Sequence, residues 1–234
     1  MSKAVYEIVE KDDRLFFHDG EQYVLFDSGF VPPRQPRYSA SESGKIGPFA
    51  ASRLPAVFFE EFINLTMDDG GKVTAIFNPC DGYDCLLEGS TLIITDEEVE
   101  VPQCLHFLDF VNPSLPIVRG RIDGGEECNL LFDSGARMTM LGEAPRGAQP
   151  RRTYIEWMAM LRCRAELPVY PVTLEFADGF RYSGEGAVVT DPAYQTGARM
   201  MNFRAILGID IFKQYDLFIA AKGKRRGIAI LEKR

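Results

Sequence analysis

Leu25-Phe26-Asp27-Ser28-Gly29 recurs as Leu131-Phe132-Asp133-Ser134-Gly135. Asp19-Gly20 precedes the first copy and Asp123-Gly124 precedes the second. Each copy therefore follows a turn signal and a short apolar run, Tyr23–Phe26 in one case and Asn129–Phe132 in the other. The 234 residues divide into two halves of similar size, each delivering one carboxylate where a strand ends. That is the pattern of an internal duplication.

The word has a physical logic. Leu-Phe anchors a buried strand, and the serine hydroxyl fixes the loop through local hydrogen bonds. Glycine lets the backbone turn tightly and pass close to the carboxylate. Two such loops facing each other place Asp27 and Asp133 within hydrogen-bonding distance. Carboxylates that close do not both ionise readily, so the pair holds one proton over a range of pH. One member then serves as base toward a water and the other as acid toward a carbonyl. Buried phenylalanines beside the pair are expected to extend the upper limb of its pH profile toward neutrality. Read alone, Asp27-Ser28-Gly29 is equally an ordinary turn.

Working outward, most of the chain reads as short strands. Phe62–Met67 and Lys72–Phe77 flank Asp68-Asp69-Gly70-Gly71, and Val172–Phe176 and Phe180–Ser183 flank Ala177-Asp178-Gly179. Both read as hairpins at comparable distances past their aspartates. Asp68, Asp69 and Asp178 are then turn residues. Further strands are expected at Thr91–Thr95, Val99–Val101, Ile117–Ile122, Leu217–Ala221 and Gly227–Leu231. Helix signals are few: Ala56–Leu65, which competes with the first hairpin, Tyr154–Leu161 and the short Ile209–Tyr215. Residues 1–101 form an N-terminal lobe carrying Asp27, Pro102–Pro116 a packed connector, and 117–234 a C-terminal lobe carrying Asp133. The loops Val31–Pro55 and Gly142–Arg152 are placed to rim a cleft between the lobes.

Composition bounds the function. At 46% hydrophobic residues the chain can bury a substantial core, and a net charge of −8 argues against a nucleic-acid surface. The basic run Lys222–Arg226 reads as a solvated hairpin turn. Five cysteines without a tight pattern are expected as free thiols. The only two histidines, His18 and His106, leave little for a Ser-His-Asp triad or a histidine-rich metal site. No stretch is apolar enough to span a bilayer and no leader is evident, so a cytoplasmic protein without membrane partners is expected.

Asp133-Ser134-Gly135-Ala136-Arg137-Met138-Thr139-Met140-Leu141 resembles the active-site loop of retropepsin-like aspartic peptidases. That family's pattern is Asp-Thr/Ser-Gly-Ala followed by a small apolar strand. Ala205-Ile206-Leu207-Gly208-Ile209-Asp210 resembles its second signature, a hydrophobic-hydrophobic-Gly strand passing under the loop with a short helix after it. The resemblance implies a mostly-β, two-lobed fold with pseudo-two-fold symmetry and a cleft between lobes. It implies peptide-bond hydrolysis by a water between Asp27 and Asp133, acting on a peptide or protein, with no metal or cofactor. Ser28, Gly29, Ser134, Gly135, Ala136 and Gly208 become loop-supporting residues. Asp210 reads as a helix cap or ion-pair partner.

The first half departs from the pattern. Phe30 stands where the family has a small residue, and Val31-Pro32-Pro33 replaces the turn and strand. Leu86-Leu87-Glu88-Gly89 is the nearest counterpart of the hydrophobic-hydrophobic-Gly signature. Both carboxylates in one chain imply a monomer, with a homodimer as the alternative. The rival function is a catalytically inactive module that keeps the fold and binds a peptide or a protein; a purely structural role is the third.

Overall fold

The computed structural model describes residues 2–29, 43–53, 66–158 and 163–233, without the side chains of Ser43, Trp157, Met158 and Cys163. Phe30, the stretch 31–36 and the Ala56–Leu65 helix lie outside them, as do residues 62–65 of the first hairpin. The described residues are mostly β and form two sheets.

In the first half, β1 (Lys3–Lys11) and β2 (Arg14–His18) form a hairpin around Asp12-Asp13. Both turn residues have positive φ, 50° and 57°. Aspartate tolerates that region better than most side chains, and the paired left-handed residues suit a two-residue turn between twisted strands. The turn at Asp19-Gly20 leads into β3 (Tyr23–Phe26), with the Asp19 carboxylate accepting from the N–H groups of Glu21 and Gln22. In the second half, β10 (Ile117–Ile122) and β11 (Glu127–Phe132) flank Asp123-Gly124, again with positive φ at both. Two turns of like chemistry thus feed the two copies of the repeated word.

Each aspartate-bearing strand has a parallel neighbour. β3 pairs with β6 (Val73–Phe77), and β11 pairs with β16 (Ala205–Leu207). The register sets Phe26 opposite Phe77 and Phe132 opposite Leu207. The first-half counterpart of Ile206-Leu207-Gly208 is therefore Ile76-Phe77-Asn78. Leu86-Leu87-Glu88 lies instead in β7 (Asp84–Glu88), paired with β8 (Thr91–Thr95) and β17 (Asp216–Ala220). The parallel partner comes from far along the chain and carries Asn78 where the other copy carries glycine, which hides the correspondence in the sequence.

The second half closes on itself. β10, β11, β16, β12 (Met140–Leu141), β15 (Arg181–Val188) and β14 (Cys163–Phe176) pair in that order, and β14 returns to β10. The result is a closed six-stranded barrel, which leaves no free edge within the ring. β13 (Arg152–Met158) adds to β14 on the outside. Of the expected Tyr154–Leu161 helix, Tyr154–Met158 is therefore strand, and residues 159–161 lie outside the described residues. Tyr154, Trp157 and Met158 sit at helical spacing in the sequence, but cross-strand pairing with β14 overrides that signal. The β14–β15 hairpin forms as expected around Ala177-Asp178-Gly179. Around Asp68–Gly71 only an isolated bridge between Thr66 and Lys72 is present among the described residues.

Further differences concern the ends of elements. Val99–Val101 is not strand; the Val99 N–H donates to the buried Asp84 carboxylate. The connector contains β9 (His106–Asp109), which pairs with β18 (Gly227–Leu231). Residues 43–53 of the expected first loop form the hairpin of β4 (Ser43–Ile46) and β5 (Phe49–Arg53). A helix, α1 (Pro192–Met201), was not anticipated. Asp191 caps it, Pro192 opens it, and Asn202 ends it in the left-handed conformation. Ile209–Phe212 is a single 3₁₀ turn.

The last two strands, β17 and β18, join the sheet of the first half through β7. One core cluster consequently spans both halves, with Phe17, Phe26 and Phe77 together with Phe132, Leu207, Phe212 and Ile219. Phe132 and Phe212 pack edge to face at 5.4 Å. Burial of these rings against one another fixes the two aspartate loops relative to each other.

Candidate active site

The two loops interlock through their serines. The Ser28 N–H donates to Ser134 Oγ at 2.9 Å, and the Ser134 N–H donates to Ser28 Oγ at 2.9 Å. Ser28 Oγ donates to the Phe132 carbonyl and Ser134 Oγ to the Phe26 carbonyl, each at 3.2 Å. All four bonds cross between the halves, and each has its mirror. Ser28 and Ser134 are 1% and 0% exposed, so no water competes for these groups.

Behind the loops the symmetry continues. The Asp27 N–H donates to the Phe77 carbonyl at 3.0 Å, and the Asp133 N–H to the Leu207 carbonyl at 2.9 Å. Each strand end is thus tied to its parallel neighbour. Ala136 N–H donates back to the Asp133 carbonyl, and the Ala136 carbonyl accepts from Ile209 N–H. Gly208 is required by close approach: a Cβ there would lie 2.6 Å from both the Met138 carbonyl carbon and an Asp210 carboxylate oxygen.

The carboxylates meet where the sequence predicts. Asp133 and Asp27 are hydrogen-bonded to each other. Gly29 and Gly135 leave them room, because a Cβ on Gly29 would sit 2.3 Å from Asp133 Cγ and one on Gly135 would sit 2.5 Å from Asp27 Cγ. The Gly135 N–H donates to Asp133 Oδ1 at 2.9 Å. Burial pushes the Asp133 carboxyl above the usual range. The bond with Asp27, the Gly135 and Ala136 N–H groups and the charge of Arg14 pull it the other way. A buried, hydrogen-bonded carboxyl pair of this kind retains a proton at pH values where an isolated aspartate is ionised.

Asp210 has a different place from either reading given to it. Thr139 and Tyr182 hydroxyls donate to its two carboxylate oxygens at 3.2 Å each, and the N-cap of the 3₁₀ turn is Gly208. Burial raises its carboxyl to about 6. Asp178 is more than a turn residue: it accepts from Phe180 N–H in its own turn and from Phe107 N–H in β9, with His106 Nδ1 at 3.2 Å. Cys80, Cys85, Cys104 and Cys128 are free, and burial pushes the Cys80 and Cys85 thiols up.

Sequence reading missed Arg14, Arg137, Glu156 and Asp12. Arg14 and Glu156 are 5% and 2% exposed. Arg14 Nε donates to the Gly135 carbonyl at 3.2 Å, and its other nitrogens reach Glu156 and Asp12 at 3.5 and 3.3 Å. Arg137 bonds both oxygens of Glu156 and both of Asp12. These residues come from the β1–β2 turn, the Asp133 loop and β13, so no local pattern announces them.

No cluster of three or more metal-ligating side chains occurs among the described residues, and among them no helix is long and apolar enough to cross a membrane. A cavity of about 550 Å³ lined by His18, Tyr23, Lys45, Arg53 and Lys72 holds neither aspartate. Compared with known proteins, the chain matches no family model, and no curated protein matches it significantly.

Proposed function

We propose that this chain is an aspartic-type endopeptidase with a retropepsin-like, two-lobed fold, and that Asp27 and Asp133 hydrolyse peptide bonds through a shared water. The observation that carries the reading is the reciprocal Ser28–Ser134 interlock, which sets the two carboxyls against each other across a pseudo-two-fold axis. The ionised carboxylate takes a proton from the water, whose oxygen adds to the scissile carbonyl carbon. The protonated carboxyl gives its proton to the carbonyl oxygen. Collapse breaks the C–N bond, and the amine leaves with a proton returned by the pair. The substrate class is an extended peptide or a protein segment, held in part by main-chain hydrogen bonds. Since one chain supplies both carboxylates, the monomer is the active form, and a cytoplasmic setting fits a pair that works toward neutral pH.

Asn78 at the position corresponding to Gly208 favours the second reading, a binding module that has lost catalysis. One experiment separates the two. Wild-type protein and Asp133→Asn are incubated with a denatured protein from acid to neutral pH, with and without a statine-type transition-state mimic. Cleavage by wild type, blocked by the mimic and absent in the folded Asp133→Asn variant, supports the peptidase. Mimic binding without cleavage supports the module. Cleavage by Asp133→Asn at the wild-type rate rejects the assignment.

A further inference from the structure

We infer that Arg14 is a positioning residue for the carboxyl pair, acting from the first half on the Asp133 loop through the carbonyl of Gly135. The inference rests on the peptidase reading for its kinetic consequences but not for its structural ones.

Gly135 is the residue that both carboxyls share. Its N–H donates to Asp133 Oδ1, and the Asp27 carboxyl packs against its Cα. Its carbonyl is held by Arg14 Nε. That carbonyl belongs to the Gly135–Ala136 peptide group, whose N–H also favours the ionised Asp133 carboxyl, so fixing it steadies a donor to Asp133 and the Gly135 backbone against Asp27 together. Arg14 opens β2, so the constraint crosses from one half to the other. It adds to the serine interlock, and it has no twofold mate among the described residues.

Arg14 is itself held. Glu156 Oε1 accepts from Arg14 Nη2 and from Arg137 Nη2, and Oε2 accepts from Arg137 Nε and the Tyr154 hydroxyl at 2.7 Å. Arg137 also lies over the Tyr154 ring, 5.4 Å from its centroid. Asp12 receives two bonds from Arg137 and one from Arg14, which keeps the β1–β2 turn pointed at the loop. Arg14 and Arg137 balance Asp12 and Glu156, so the network is neutral and its buried charges are paired. The planar guanidinium suits this task because it holds a carbonyl and carboxylates at once in fixed directions.

Two consequences follow. Geometry: without the fork, the Gly135 peptide loses an anchor and the reacting groups lose alignment, which lowers kcat more than it raises KM. Charge: among the described residues, Arg14 is faced by Asp12 and Asp13 of the turn, Lys213 beyond Asp13, Tyr154 and Glu156 of β13, Arg137, and Asp133 with Asp27 bonded to it. Removing the cation takes away an attraction that favours ionised Asp133, so the lower limb of the pair's titration moves to higher pH.

The test compares wild type, Arg14→Lys, Arg14→Gln and the Arg14→Gln/Glu156→Gln double variant, which leaves no buried carboxylate stranded. Side-chain carboxyl ¹³C shifts of Asp27 and Asp133 are titrated in each labelled protein, and pH–rate profiles are recorded beside them. In Arg14→Gln, or in the double variant if the single one fails to fold, the lower limb rises by about half a pH unit or more, and kcat falls about tenfold with KM within about twofold. Arg14→Lys keeps the limb near the wild-type position and still loses rate, because a point charge does not replace the fork. A limb unmoved in both neutral variants overturns the inference. Wild type that cleaves nothing rejects the peptidase reading alone, and the carboxyl titration then still decides the role of Arg14.

Discussion

Replacing Ser28 with alanine removes the smallest group that the interlock depends on. The hydroxyl accepts from Ser134 N–H and donates to the Phe132 carbonyl, and both partners sit in a region closed to water. Ser28→Ala therefore strands one backbone donor and one backbone acceptor. Each buried group left unmade costs about 1–3 kcal/mol, so the variant should lose about 2–4 kcal/mol of about 5–15 kcal/mol of total stability. At this chain length that corresponds to a Tm lower by roughly 5–15 °C. Ser134→Ala should lose a similar amount, since its bonds mirror those of Ser28. The double variant should cost less than the sum, because loops that have parted once leave the second hydroxyl little to hold. Urea unfolding followed by far-UV circular dichroism measures all three. Single losses below about 0.5 kcal/mol would refute the reasoning, since that is the size of an ordinary surface substitution.

Gly29→Ala places a methyl group 2.3 Å from Asp133 Cγ and should abolish cleavage, whereas Gly147→Ala, which strains an exposed turn at φ 71° but meets no neighbouring atom, should leave the rate of the folded protein unchanged. Equal rates for the two variants would show that the packing of Gly29 against Asp133 is irrelevant to activity. Burial raises the Asp133 carboxyl, so the shared proton is lost above the ordinary aspartate range, and the bell-shaped rate profile should extend its upper limb toward neutral pH. A profile confined to strongly acidic pH contradicts that placement of the limb.

What the sequence made legible is what lies close together along it. The repeated word, the Asp-Gly turns before it and the runs Tyr23–Phe26, Thr91–Thr95, Ile117–Ile122 and Gly227–Leu231 are local signals, and the strands β3, β8, β10 and β18 reproduce them. β6 was legible as the run Lys72–Phe77, but its parallel pairing with β3 was not, because a parallel partner can come from anywhere in the chain and Asn78 hid its likeness to Gly208. The boundaries of α1 were readable, with Asp191-Pro192 at one end and Asn202 at the other, but the segment itself has few apolar residues to display a helical stripe. The Asp12–Arg14–Arg137–Glu156 network was not readable at all. Arg14 and Glu156, which touch, lie 142 positions apart, and each member alone looks like a surface charge.

Asp210 offers a separate test of the ground beneath the Asp133 loop. Its carboxyl lies beside Gly208 and takes the hydroxyls of Thr139 and Tyr182, while Thr139 Oγ1 accepts from the Gly208 N–H. Burial holds this group at about 6 in the folded chain, against about 3.9 when unfolded. Between those values the folded protein keeps a proton that the unfolded chain has released. Stability therefore falls as pH rises through the window, from full below about 4 to its minimum above about 6. Two units correspond to roughly 2–3 kcal/mol at most. Asp210→Asn has no proton to lose and can still meet both hydroxyls. It should match the parent near pH 4 and exceed it by up to about 2 kcal/mol at pH 7. Because the carboxyl pair also titrates in acid, the comparison belongs in an Asp133→Asn background, with urea unfolding measured at several pH values. A stability difference that stays constant from pH 4 to pH 7 would mean that Asp210 ionises alike in both states. Burial would then not be what holds its proton.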